Sequence, residues 1–428
     1  MKIIVGLFLL IWLLPVHVWA ATFYVSPTGN NANDCTAAQT ISTPKLTFAS
    51  VLPCVAAGDT LYIRAGTWTE QLDLQTATVA GTSDNYVTIA GYPGETVTLQ
   101  YTDSAVDLYG PIKARGTPAY LIFDNLILDG VNGTNRSGWQ IRDGNHHFIL
   151  RNLEIKNFHY NGVYISADNV TVEDCIIHDQ VSVSGAAGER WYGLYVHDGN
   201  NIVVQRNQVY GNPGGGVHVY PGPIADLVIH RNDIHENNTL SSSNVEGILV
   251  YEESATPITN VQIYNNLVYL NSTTGSGGTA GGIRVSNGPN ATKVWNNTIY
   301  GNNGWGVNVQ AGSSPPTSTV IQNNIVLANT SGQIVDAGTS STIDSNHSTG
   351  TITDCTVSTS NFALIAGSDC ADAGTTLATV TEDYIGTARP QGSAYDIGAR
   401  EYVVVDSGGG HSTTPAWTSP RRSPLWRR

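Results

Sequence analysis

The chain has 428 residues, 41% of them hydrophobic and only 13% charged, with a formal net charge of −14. An acidic balance of that size excludes nucleic acid as a natural partner and gives no long-range attraction for polyanions. Forty-five glycines beside so few charges point to many tight corners around a mostly buried interior.

In chain order, Lys2 is followed by an apolar run over residues 3–14 and then by Val18, Trp19 and Ala20. A basic start, a short apolar stretch and a small residue at the end read as a signal peptide over residues 1–20. The run is shorter than the roughly 20 residues that cross a bilayer, so no stable membrane insertion is expected. The protein is expected to be secreted, to the periplasm or the extracellular space. Export gives the five cysteines a meaning. Cys35 and Cys54 lie close together near the start, Cys355 and Cys370 close together near the end, and each pair reads as a local disulfide. Cys175, inside an apolar strand at 170–177, reads as a buried free thiol.

Roughly 400 residues after the signal exceed what one compact core holds, yet the middle of the chain has no linker. A repeat resolves this. Val204-Gln-Arg-Asn-Gln-Val-Tyr-Gly-Asn212 returns in recognisable form from Ile229, Ile263, Val294 and Ile321, at intervals of 25, 34, 31 and 27 residues. Each copy is followed by Gly-apolar-x-apolar-x, as in Gly193-Leu-Tyr-Val-His197 and Gly216-Val-His-Val-Tyr220. Apolar residues at period two point to one side of a strand and the x residues to the other. A propeller blade would need four strands in about 40 to 45 residues. Shorter coils with two or three strands predict an all-β, single-domain right-handed parallel β-helix, a solenoid whose core grows along one axis. Stacking then aligns Asn207, Asn232, Asn266, Asn297 and Asn324 in one corner ladder, and Asn212, Asn237, Asn271, Asn302 and Asn329 in another. Their amides hold corners rather than carry chemistry.

With these motifs the chain resembles the right-handed β-helix repeat family, the pectin-lyase-like superfamily, in its exported bacterial form. Phe23-Tyr-Val-Ser-Pro-Thr-Gly29 and Gly58-Asp-Thr-Leu-Tyr-Ile-Arg-Ala-Gly-Thr-Trp-Thr-Glu70 are similar to that family's opening, in which a short amphipathic helix caps the first coil. Asp372-Ala-Gly374, Arg389-Pro390 and Asp396-Ile-Gly-Ala-Arg-Glu-Tyr402 resemble a closing segment. The resemblance implies a β-helix over 21–402 with an N-terminal cap at 21–58. Residues 403–428, rich in Gly, Ser, Thr and Pro with a basic end, read as a disordered tail. The fold hosts lyases, hydrolases, epimerases and non-catalytic surface proteins, so it leaves the reaction open.

The outward x positions are where chemistry is expected. Along the stack the first x holds Tyr164, Tyr195, His218, Leu249, Arg284 and Asn308; the second holds Ser166, His197, Tyr220, Tyr251, Ser286 and Gln310. Tyr195 and His197 are thus set over His218 and Tyr220, with Trp191, Asp198, Glu246, Glu252, Glu253 and Arg284 around them. Insertions at 182–191, 238–245 and 272–280 would wall this face into a groove. Tyrosine faces and charged groups suit a polysaccharide. For a uronate lyase, His197 or His218 is the expected base, Tyr195, Tyr220 or Tyr251 the proton donor and Arg284 the carboxylate neutraliser. Tyr164, Tyr251, Asp198, Glu246, Glu252 and Trp191 are expected to contact the sugar. No cofactor is required, although calcium bound among the carboxylates could assist. A hydrolase would instead need two carboxylates, such as Asp198 and Glu252. A glycan-binding protein without turnover is the third alternative. The Gly-His-Gly and tandem Asp of polygalacturonases, the Asp-Pro-His-Asp of alginate epimerases, and a lysine in the patch are all missing from the sequence.

Overall fold

A computed structural model describes residues 20–100, 110–116, 118–131, 138–142, 144–182, 191–238, 246–253, 256–272 and 281–403. The expected signal peptide and C-terminal tail therefore lie almost wholly outside the described residues. No helix among the described residues is long and apolar enough to cross a membrane.

Each coil contributes three short strands, and every strand pairs in parallel with its counterpart in the next coil. One face runs from Trp139–Ile141 through Val163–Ser166, Gly215–Val219, Glu246–Tyr251, Gly281–Ser286 and Trp305–Gln310 to Gly332–Asp336. A second face begins at Thr22–Val25 and reaches Thr342–Asp344. The third is a 10-stranded sheet. Strand Tyr192–Gln205, 14 residues long, passes from the first face to the second without a break. This is the solenoid that the repeat predicts.

Period-two patterning explains the interior. Val196, Val219, Val250, Val285 and Val309 stack on the first face and Val209, Ile234, Val268, Ile299 and Val326 on the third, all fully buried. Each such side chain contributes roughly 1.5–3 kcal/mol, and the sum grows with coil number. At the corners the paired asparagines divide their work. Asn265, Asn296 and Asn323 turn the chain with φ of 53°, 48° and 57°, a region that Asn tolerates better than most residues. The residue that follows each points inward into the ladder. Asn266 Nδ2 donates to Asn297 Oδ1 at 3.0 Å and to the Ile229 carbonyl at 2.9 Å, while Asn266 Oδ1 accepts from Asn232. The second ladder behaves likewise and is extended at its start by Gln180. Cys175 occupies the first ladder's position one coil before Asn207, whose Oδ1 accepts its N–H at 3.0 Å.

Both ends are stapled. Cys35 bridges Cys54 and Cys355 bridges Cys370, with Cα separations of 5.5 and 5.4 Å. The short helix Phe48–Val51 closes the first coil, burying Phe48 against Trp68 and offering its first N–H groups to Glu70. The closing segment does more than cover the last coil. It folds back along the αL corner: Arg231 donates to Glu382 and the Tyr384 carbonyl, Asn296 to the Asp396 carbonyl, and Asn323 to the Thr375 carbonyl. Phe362 meanwhile packs on Tyr269 and Tyr300 of the third face.

Candidate functional site

The first x column has the register expected from sequence: Tyr164 pairs with Tyr195, Tyr195 with His218, His218 with Leu249, Leu249 with Arg284 and Arg284 with Asn308. The rings form a continuous network outside the core. Tyr164 lies 5.3 Å from Tyr195 and 5.4 Å from His197; Tyr195 lies 5.0 Å from His218, which lies 5.8 Å from Tyr220, itself 5.5 Å from Tyr251. The face is recessed, for Tyr195 is 8% and His218 5% exposed. The inserted segments expected to wall it lie largely outside the described residues, at 183–190, 239–245 and 273–280.

The second x column departs from expectation. Ser166 pairs with Asp198, not with His197, because the register slips between Ile165 and Ser166. One extra residue at the corner, a bulge, re-aims the side chains that follow it. Asp198 consequently faces back on its own neighbour: His197 Nδ1 lies 2.8 Å from Asp198 Oδ2, and Ser166 Oγ donates to both oxygens at 2.8 Å. Burial pushes the Asp198 carboxyl up, but the bonds from His197 and Ser166 outweigh it and hold its pKa below the usual carboxylate value. With Nδ1–H donated to an ionised carboxylate, Nε2 of His197 carries the lone pair. The His197 side chain is 34% exposed, so its ring is open to solvent.

A third column lies one residue before each glycine, and sequence reasoning overlooked it. It holds Tyr192 opposite Gly215, and Glu246 opposite Gly281, which in turn faces Trp305. From here side chains lean one coil onward. Tyr192 stacks on His218 at 3.9 Å, and Glu246 Oε1 accepts from Arg284 Nη1 at 2.8 Å. The signal was available, since x-Gly-apolar-x-apolar-x makes the leading residue share the outward face once glycine breaks the alternation.

Glu246 is 1% exposed, and burial raises its pKa to about 7 in spite of Arg284. Expected as a sugar contact, it is paired with Arg284, the cation expected to neutralise the sugar. Asp198, likewise expected to touch sugar, is held by His197 and Ser166. Glu252 Oε2 accepts the Ile258 N–H at 2.8 Å, and Glu253 accepts from the Tyr220 hydroxyl at 2.8 Å. The carboxylates thus have separate partners. Among the described residues one trio is close enough to share an ion, His347 with Cys355 and Cys370, and those two sulfurs form the disulfide. Trp191 sits at the corner, its carbonyl accepting the Gly214 N–H at 2.7 Å. A cavity of about 330 Å³ lies elsewhere, in the N-terminal cap beside Ser26, Ile41, Arg64 and Glu95, and shares no residue with this face.

Parallel coils, corner ladders and an exterior side-chain face define a right-handed parallel β-helix. A family model described as "Right handed beta helix region" matches residues 112–276. The matched stretch is the middle of the solenoid, and the fold is that of the right-handed parallel β-helix. Its fold is similar to that of pectate lyase Pel9A, at 18% identity and a TM-score of 0.61, over 89% of this chain and 96% of that one. It is also similar to XylC in complex with xylose, at 10% identity and TM-score 0.55, over 89% and 99%. A structure titled "Glycoside hydrolase" matches at 10% identity and TM-score 0.51, over 76% and 96%.

Proposed function

We propose that this protein is an exported carbohydrate-active enzyme that cleaves a uronate-containing polysaccharide by β-elimination. The observation that carries the reading is the His197–Asp198 pair, set in a row of tyrosines on a recessed exterior face. Nε2 of His197 takes the proton from C5 of the uronate, the C5–H electrons form the C4–C5 double bond, and the C4–O bond breaks. Tyr195, whose ring lies 5.8 Å from His197, donates the proton to the leaving oxygen. Arg284, three coils along the stack from Tyr195, binds the carboxylate of another uronate further along the polysaccharide. Tyr164, Tyr220 and Tyr251 offer ring faces along the chain. Export is supported by the two disulfides.

Hydrolysis is the weaker reading. A general acid needs a raised pKa, whereas Asp198 has a lowered one and the Glu252 carboxylate is tied to the Ile258 N–H. Glu246 has the raised pKa, but its column is six residues from Asp198 along the strand direction, roughly 20 Å, against the 5–9.5 Å hydrolases use. The test is turnover on a panel of uronate and neutral polysaccharides. Ultraviolet absorbance from an unsaturated product is the expected result, with loss of activity in the His197→Ala, His218→Ala double variant. New reducing ends without that absorbance would make the protein a hydrolase, and binding alone would make it a lectin-like surface protein. Turnover is expected to survive a metal chelator.

A further inference from the structure

The Glu246–Arg284 pair is hard to explain as a structural ion pair. Removing both charges from water costs more than one contact returns unless every remaining polar atom is satisfied. Here only one carboxylate oxygen is engaged. Glu246 Oε1 takes the Arg284 Nη1 bond at 2.8 Å, while Oε2 is buried with no hydrogen-bond partner among the described residues. Glu246 pairs with Gly281 in the next coil, and Gly215 stands at the same position in the coil before. A Cβ at Gly281 would lie 2.0 Å from the Trp305 carbonyl, so the Trp305 backbone packs directly against this position and only glycine fits it. The same two columns hold Tyr192, Tyr195 and His218 in the preceding coils, Leu249 in Glu246's own strand, and Trp305 and Asn308 in the coil beyond.

We infer that Glu246 and Arg284 form a proton-exchanging carboxylate subsite: Arg284 passes from Glu246 to the carboxylate of an incoming uronate, and Glu246 is left holding a proton on Oε2. The inference rests on the glycan reading above and adds the substrate group recognised. Two ionised carboxylates against one guanidinium in a recess repel each other, and a proton on Glu246 removes that repulsion. It also turns the lone Oε2 into a hydroxyl donor for the ligand. The proton is drawn from solvent on binding and returned on release, so charge balances. The free carboxyl already titrates near neutrality, at about 7. A second anion at Arg284 raises that value further, so binding takes up a proton above neutral pH and weakens as pH rises.

The experiment is calorimetric titration of the whole protein with trigalacturonate, in buffers of different ionisation enthalpy, with xylotriose as the neutral control. At about pH 8.5 close to one proton per site should be taken up, and affinity should fall about tenfold per pH unit. At about pH 5 uptake should vanish, because Glu246 is already protonated. Glu246→Gln should bind with no proton uptake at the alkaline pH and without the pH slope. Arg284→Gln should lose trigalacturonate while keeping any affinity for xylotriose. Binding at about pH 8.5 without proton uptake, or a Glu246→Gln variant that keeps the slope, would overturn the subsite and leave the glycan reading standing. Absence of binding to either trisaccharide would overturn both.

Discussion

Asp198 accepts a hydrogen bond from the imidazole of the residue immediately before it, His197, at 2.8 Å, although consecutive residues in a strand normally point to opposite faces. The slip in pairing between Ile165 and Ser166 makes the contact possible, and Ser166 anchors the carboxylate from the coil below. The geometry gives His197 one tautomer and one orientation. His197→Ala should lower kcat by roughly 10²–10⁴-fold, the usual contribution of a positioned base. Asp198→Asn should leave KM unchanged and lower kcat less, because it misorients the base without removing it. Steady-state kinetics on the active substrate decides this, and an unaltered rate in both variants removes His197 from the chemistry.

Glu246 gives the fold a pH dependence whose sign is fixed. Its pKa is raised from 4.5 unfolded to about 7 folded, so its contribution is fully present below pH 4.5 and is lost as pH rises through 7. The loss amounts to about 3 kcal/mol across that interval. Glu246→Gln cannot ionise and should escape it. In urea unfolding at about pH 4.5 and about pH 8.5, the variant should gain on the parent by a few kcal/mol at the higher pH. Parallel pH profiles for the two proteins would mean that folding does not raise the Glu246 pKa.

Much of the scaffold was legible because it obeys a period. Asn207, Asn232, Asn266, Asn297 and Asn324 recur with the coil, and stacking turns recurrence into contact. The first x column followed for the same reason, since a period-two strand in fixed register leaves its side chains no choice. What escaped reading was aperiodic. The slip at Ser166 is a single-residue event at a corner, and it brings Asp198 against Ser166 and His197. Tyr192 and Glu246 precede a glycine, where the alternation restarts. The fold-back of the closing segment depends on contacts such as Arg231 with Glu382, 151 residues apart, and no local pattern encodes them.

The ladder makes its own prediction. Asn266 satisfies the Ile229 and Tyr264 carbonyls and the N–H of Asn232, all within the buried corner. Asn266→Leu would strand these groups, each at about 1–3 kcal/mol. Loss of several kcal/mol in urea unfolding is expected, with trisaccharide binding by the folded fraction unchanged. Cys175, in the same ladder position one coil before Asn207, should behave oppositely as a chemical probe. Burial pushes its thiol up to about 12, so alkylation should fail in the native protein and succeed once the protein unfolds.

Arg389 and Glu401 test whether the closing segment stabilises the whole solenoid or only its last coil. Both side chains are fully buried, Nη1 donates to Glu401 Oε1 at 2.6 Å, and Nη2 reaches Asn265 Oδ1 at 3.1 Å, on a corner two coils before the last ladder asparagine of the motif, Asn324. Arg389→Met removes one partner and leaves a carboxylate buried beside the Asp396 N–H, so roughly 3–5 kcal/mol should be lost. Because the segment spans several coils, the loss should lower a single cooperative transition. If it merely caps the end, the variant should instead show an early partial transition in hydrogen exchange, confined to residues beyond about Val320. A single transition shifted as a whole is the expected result, since Arg231, Asn265, Asn296 and Asn323 tie successive coils to the same strap.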